Sequence, residues 1–213
     1  TANLINRLHI TLENIFAPVE VCALIDESRE RGLDLPPPAA HWLGRMDTLL
    51  RGGGQIVQPF ERRMINKSAA VYAAPGTEAE RSGRTVVVAF TGDAHRLMMP
   101  ISLLLQQCPA DRYEMLMLSD FRRSLYLRGI DGLGSDFPET LERIRMLVPA
   151  PSEGRVVTLG TSAGGLAAIW AAIELGLPRA VSVGGVTPDE LGERVQTQGM
   201  SSPGFDDAIR RSA

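Results

Sequence analysis

The feature that most constrains this chain is RVVTLGTSAGGLAAIWAAIELG, Arg155 to Gly176. A β-branched run enters a glycine turn and leaves as an apolar helical segment, with Gly176 as a C-terminal stop. Ser162 sits at the centre of that turn, in Gly160-Thr161-Ser162-Ala163-Gly164. A serine between a buried strand and a helix must take a cramped backbone conformation. Glycines two before and two after it let the neighbouring backbone pass close by. The hydroxyl is then lifted to the rim of a sheet, at a helix N-terminus whose unpaired N–H groups favour negative charge.

The rest of the second half repeats that alternation. TVVVAF (85–90) reads as a buried strand, 97–107 as a helix with Pro100 near its first turn, and YEMLMLSD (113–120) as the next strand. Asp136 caps a helix running to about Val148 with Pro138 in its first turn, and AVSVGG (180–185) is a further strand. Strands alternating with helices of this length predict right-handed βαβ units. The expected fold is α/β, a doubly wound, mostly parallel sheet with helices on both faces. QIVQPF (55–60) and AAVYAA (69–74) are β-prone, and PGTEAERSG (75–83) is a turn segment.

Residues 1–51 carry helical spacing instead. Leu4, Ile5, Leu8, Leu12, Ile15 and Phe16 share a face, a second helix is expected over 19–31 before Gly32, and a third over 39–50 after the stiff Pro36-Pro37-Pro38. The expected division is an N-terminal helical extension at 1–54 and an α/β domain at 55–213. The helices are expected to form a packing layer or a homo-oligomer contact. A net charge of −3 gives no general attraction to nucleic acid or acidic membranes. No apolar run reaches membrane-span length, and the N-terminus lacks a signal pattern. Cys22 and Cys108 are too few for a disulfide framework, which suits a reducing, cytoplasmic setting. No metal-ligand cluster, G-x-G-x-x-G or Walker sequence is visible, so neither cofactor nor metal is expected.

Ser162 is the candidate nucleophile, with the Ala163 N–H as one donor to a tetrahedral oxyanion. TVVVAFTGDAHR followed about 70 residues later by VVTLGTSAGG resembles the α/β-hydrolase superfamily, over roughly 83–185. The resemblance implies an oxyanion loop after the third strand and a nucleophile elbow after the fifth. Phe90-Thr91-Gly92-Asp93-Ala94 occupies that loop, so Gly92 or Asp93 would supply the second N–H. The loop is not the His-Gly-Gly-Gly form of lipases. GTSAGG also resembles patatin-like lipases, which use a serine–aspartate dyad, but that family's upstream glycine loop and downstream Asp-Gly-Gly or Asp-Gly-Ala are missing here.

The resemblance further implies an acid and then a histidine after the serine. Yet His9, His41 and His95 all precede Ser162. The sheet and the triad fall short at the same point, so the expectation is that the acid and base lie in chain beyond this sequence. A catalytically inactive binding or scaffolding module is the alternative. His95, in the loop expected beside Ser162, is open to reading as a base, a substrate contact or a residue that orders the loop. Asp189 is open to reading as an acid or as the first turn of a helix. The connection 119–136 is long for a βα loop and carries Arg122, Arg123 and Arg128. These form either a clamp on an anionic substrate or a solvated surface paired with Asp120, Asp131 and Asp136. The activity expected is ester or thioester hydrolysis, or acyl transfer, on a small or carrier-bound acyl substrate.

Overall fold

The computed structural model describes residues 2–76, 83–150, 154–186 and 190. Asp189, the GFDDAIRRSA ending (204–213) and most of the PGTEAERSG turn lie outside the described residues.

Six strands form one mostly parallel sheet: β1 Glu61–Asn66, β2 Ala69–Ala73, β3 Thr85–Phe90, β4 Tyr113–Leu118, β5 Val156–Thr161 and β6 Ala180–Val183. Their order is β1-β2-β4-β3-β5-β6. β3 and β5 run parallel from Val86↔Val156 to Phe90↔Gly160. β5 and β6 run parallel from Thr158↔Ala180 to Thr161↔Val183. The sheet and its helices are those expected from the alternation of elements. The glycine-turn loop follows the third strand, and the serine turn follows the fifth.

The helices are α1 Ala2–Ile15, α2 Pro18–Glu30, α3 Pro37–Arg51, α4 Ile101–Gln106, α5 Phe137–Leu147 and α6 Ala163–Leu175. Asp136 caps α5 by accepting the Glu139 N–H at 2.8 Å, and Gly176 ends α6 in the left-handed region at φ 66°. α6 is buried on nearly every face, as its apolar composition demands.

Three expectations are corrected. α3 begins at Pro37, not residue 39, because prolines suit a helix's first turn. α4 begins only after Pro100. Proline disfavours helical backbone in the residue before it, and Met98 lies in the left-handed region at φ 70°. QIVQPF forms no strand. The Gln106 side chain instead accepts the Gln58 N–H (3.0 Å) and donates to the Ile56 carbonyl (2.9 Å). The first strand is the charged ERRMIN that follows, which tolerates exposure because it is an edge strand.

The chain divides into two compact units. One comprises Thr1–Arg62, Tyr72–Ser82 and Met99–Tyr113. Its core joins Val21 and Ile25 of α2 to Trp42, Met46 and Leu50 of α3. Arg51 holds Asp26 at 2.6 Å, and Arg62 holds Glu20 at 2.8 Å. The other comprises Arg63–Val71, Gly83–Met98 and Glu114–Ala213. Its core sets Val86, Val88 and Phe90 of β3 against α5 and α6, where the Phe137 and Trp170 rings lie 4.5 Å apart. All of the site described next belongs to this second unit.

Candidate active site

The parallel registers bring the carboxyl ends of β3, β5 and β6 together around Ser162. The Ser162 N–H donates to the Val183 carbonyl of β6 at 2.9 Å, and the Ser162 carbonyl accepts the Gly165 N–H at 2.9 Å. Ser162 itself stands at φ 50°, ψ −119°, a region that side chains other than glycine avoid. It is nonetheless exposed, and its hydroxyl makes no hydrogen bond among the described residues.

The flanking glycines explain how the turn is possible. A Cβ at Gly160 would overlap the Gly164 carbonyl and lie 2.8 Å from the Ala168 Cβ. A Cβ at Gly164 would run into the Phe90 carbonyl and lie 2.7 Å from the Thr91 oxygen. The strand, the helix and the end of β3 thus approach backbone to backbone, which only hydrogen at these positions permits.

The loop after β3 closes onto this turn. The Arg96 carbonyl accepts both the Gly92 N–H and the Thr161 hydroxyl, each at 3.2 Å, while the His95 N–H donates to the Gly92 carbonyl at 2.8 Å. A Cβ at Gly92 would stand 3.1 Å from the Ser162 Cβ. Residues 92–96 therefore form a tight turn directly beside Ser162. The Gly92 N–H is spent within that turn, whereas the Asp93 N–H has no acceptor among the described residues. Ala163, the first residue of α6, is buried, and its N–H precedes the intrahelical ladder.

His95 is half-buried, at φ 55°. Its ring packs on Phe121 with centroids 4.3 Å apart and planes tilted by 34°. Its Nδ1 is buried without a hydrogen-bond partner among the described residues. Burial holds the imidazole below its usual pKa, the nearby Arg123 charge pushes the same way, and Asp120 and Asp93 oppose. The ring is therefore neutral near pH 7. No hydrogen bond joins it to Ser162.

Behind Phe121 lies a carboxylate that sequence reading passed over as a surface partner. Asp120, 7% exposed, accepts the Arg122 N–H (2.9 Å), the Ser124 N–H (2.6 Å) and hydroxyl (3.1 Å), and the Tyr126 N–H (2.9 Å). That set folds 120–126 into a compact turn in which Arg123, Leu125 and Tyr126 all take positive φ. Tyr126 is buried, and its hydroxyl lies 2.8 Å from the Thr91 carbonyl and 3.0 Å from that of Leu118, so it bridges the ends of β3 and β4. Burial drives the Tyr126 phenol far above its ordinary pKa. It serves as a neutral strut rather than an acid–base group.

The three arginines of this connection part ways. Arg122 pairs with Asp131 at 2.6 Å and donates to the Arg128 carbonyl at 2.5 Å. Arg123 and Arg128 are exposed, and neither guanidinium has an ion pair among the described residues. Of these two, Arg123 bears on His95 electrostatically. Arg96, which sequence reading left aside, is a further exposed and unpaired arginine, on the turn next to Ser162. Among the described residues, no cluster of His, Cys, Asp or Glu could hold a metal ion. None of their helices is long and apolar enough to cross a membrane.

Fold and site together define an α/β protein with a serine elbow at the carboxyl edge of a mostly parallel sheet. No family model matches the chain, and no curated protein matches it. Among solved structures it is similar to the capsule O-acetyltransferase of Neisseria meningitidis serogroup A, at 15% identity and TM-score 0.41 over 74% of this chain and 62% of that one. It is also similar to a fungal esterase from Rhizomucor miehei (17%, TM-score 0.36, 72% and 53%). A third is esterase B of Lactobacillus rhamnosis (15%, TM-score 0.37, 89% and 66%). The chain spans 62% of the length of the first of these and 53% of the second.

Proposed function

We propose that this protein is a serine-dependent acyl hydrolase or acyltransferase acting on an ester or thioester through an acyl-Ser162 intermediate. The observation that carries the reading is the backbone of Ser162. A non-glycine residue is held at φ 50°, ψ −119° with an exposed, unbonded hydroxyl. Such strain costs about 1–3 kcal/mol and persists only where surrounding packing enforces it. Here the glycine contacts of the elbow enforce it, and the structural return is presentation of the hydroxyl.

In the proposed reaction the Ser162 Oγ attacks the acyl carbon and gives up its proton. The carbonyl electrons move to oxygen, which the N–H groups of Ala163 and Asp93 receive. Collapse expels the alcohol or thiol, which takes a proton. Water or an acceptor hydroxyl then attacks the acyl-serine and frees Ser162. Among the described residues, His95 is the group with the chemistry to accept the Ser162 proton, being neutral and anchored in the adjoining turn. Its other role would be to contact the substrate. These roles differ in their pH profile, as argued below.

The test is turnover of 4-nitrophenyl acetate, with the acyl-enzyme trapped by acid quench and located by mass spectrometry. The reading expects an acetyl group on Ser162 and a fall of at least about 10³-fold in kcat/KM for Ser162→Ala. Turnover unchanged in that variant would refute it, and absence of any turnover would favour the inactive binding module.

A further inference from the structure

We propose that the site beside Ser162 accepts esters bearing an anionic oxygen group, a carboxylate or phosphate, which Arg123 and Arg96 hold next to the reacting carbonyl. This rests on the acyl-serine reading and names its substrate class.

Two loops meet at the rim. The 92–96 turn is closed onto the elbow through the Arg96 carbonyl, and the 120–126 turn is fixed by Asp120. The His95 and Phe121 rings, 4.3 Å apart, join them. Arg123 follows Phe121 by two residues, in a left-handed conformation (φ 52°) that the hydrogen bonds to Asp120 impose. Arg123 is exposed on the loop whose Phe121 ring packs on His95, and its charge bears on that imidazole.

Neither Arg123 nor Arg96 has a carboxylate within 4.0 Å among the described residues, whereas Arg122 on the same loop is paired with Asp131. The acidic groups facing His95 are Asp120 and Asp93. The Asp120 oxygens already accept four hydrogen bonds from the loop's own N–H groups and hydroxyl, so they are not free to pair with either guanidinium. Asp93 is exposed and, among the described residues, forms no ion pair with either arginine. An unpaired guanidinium is a fork suited to carboxylate and phosphate. The exposed faces of Phe121 (47%) and Met98 (63%) supply apolar contact for the carbon chain of such an ester.

The test measures binding to Ser162→Ala protein, which cannot form the acyl-enzyme, by calorimetry. Monoethyl succinate and acetoxyacetate are compared with their neutral counterparts, diethyl succinate and ethyl acetoxyacetate. The proposal expects at least one anion to bind about tenfold or more tightly than its neutral counterpart, as a charged hydrogen bond warrants. It expects that advantage to shrink with Arg123→Gln, to vanish with Arg96→Gln added, and to survive in part with Arg123→Lys. No preference for either anion, or a preference that persists in the double glutamine variant, overturns it. Fluorophosphonate labelling of the arginine variants with Ser162 intact reads the parent proposal separately. Labelling retained while the anion preference is absent would sink the substrate class and leave the acyl-serine reading standing.

Discussion

At the residue scale, strain at Ser162 sets the proposed function against stability. Glycine occupies φ 50°, ψ −119° far more easily, so Ser162→Gly is expected to raise unfolding free energy by about 1 kcal/mol or more in urea titrations. An unchanged or lower stability would argue that the turn is not strained. The flanking glycines behave oppositely. Gly164→Ala drives a methyl into the Phe90 carbonyl, and a loss of at least about 1–3 kcal/mol follows, readable as a lowered Tm. His95 gives a signed pH effect. Its folded pKa lies below the ordinary 6.5, so as pH falls past 6.5 the unfolded chain takes the proton first and stability is lost on the acid side only. His95→Gln is expected to flatten that acid-side loss while leaving stability above pH 7 nearly alone. If His95 is the base, kcat/KM also falls along an acidic limb with an apparent pKa below 6.5, and the variant abolishes that limb. A limb that survives His95→Gln leaves His95 as a substrate contact.

At the scale of elements, the sheet edge depends on one carboxylate. Asp120 takes three backbone N–H groups and a hydroxyl, so Asp120→Asn swaps an acceptor for a donor facing donors. A cost of about 2–4 kcal/mol is expected by denaturant titration, together with loss of the His95–Phe121 ring contact seen by NMR. The sequence reading missed this role for a physical reason. Arg123, Leu125 and Tyr126 are all non-glycine residues at positive φ, so no glycine or proline announces the turn they make. The elements themselves were far more legible. TVVVAF is β3 and Ala163–Leu175 is α6 with the bounds their residues suggest, because β-branched density and a glycine stop are local signals. Pro100 shortens α4 by a local rule that the sequence itself carries, against an apolar run around it that favours a longer helix. ERRMIN escaped notice because an edge strand carries little hydrophobic pattern.

At the scale of the molecule, strand alternation made the parallel α/β sheet legible, and the glycine spacing marks Ser162 as the candidate nucleophile. What sequence order could not supply was convergence. That the Gly92 N–H is turned to the Arg96 carbonyl within its own turn, and that the same carbonyl takes the Thr161 hydroxyl at the end of β5, shows only once β3 and β5 lie side by side. The same convergence separates Arg123 from Arg122, residues that look equivalent in the sequence. The central claim is that Ser162 is a nucleophile activated by its elbow. The most direct measurement is fluorophosphonate labelling of the intact protein, read by mass spectrometry with the adduct located by proteolysis. The account predicts one adduct per chain, on Ser162, and none on Ser162→Ala. A folded protein that takes no adduct, or takes it on another residue, would contradict the account.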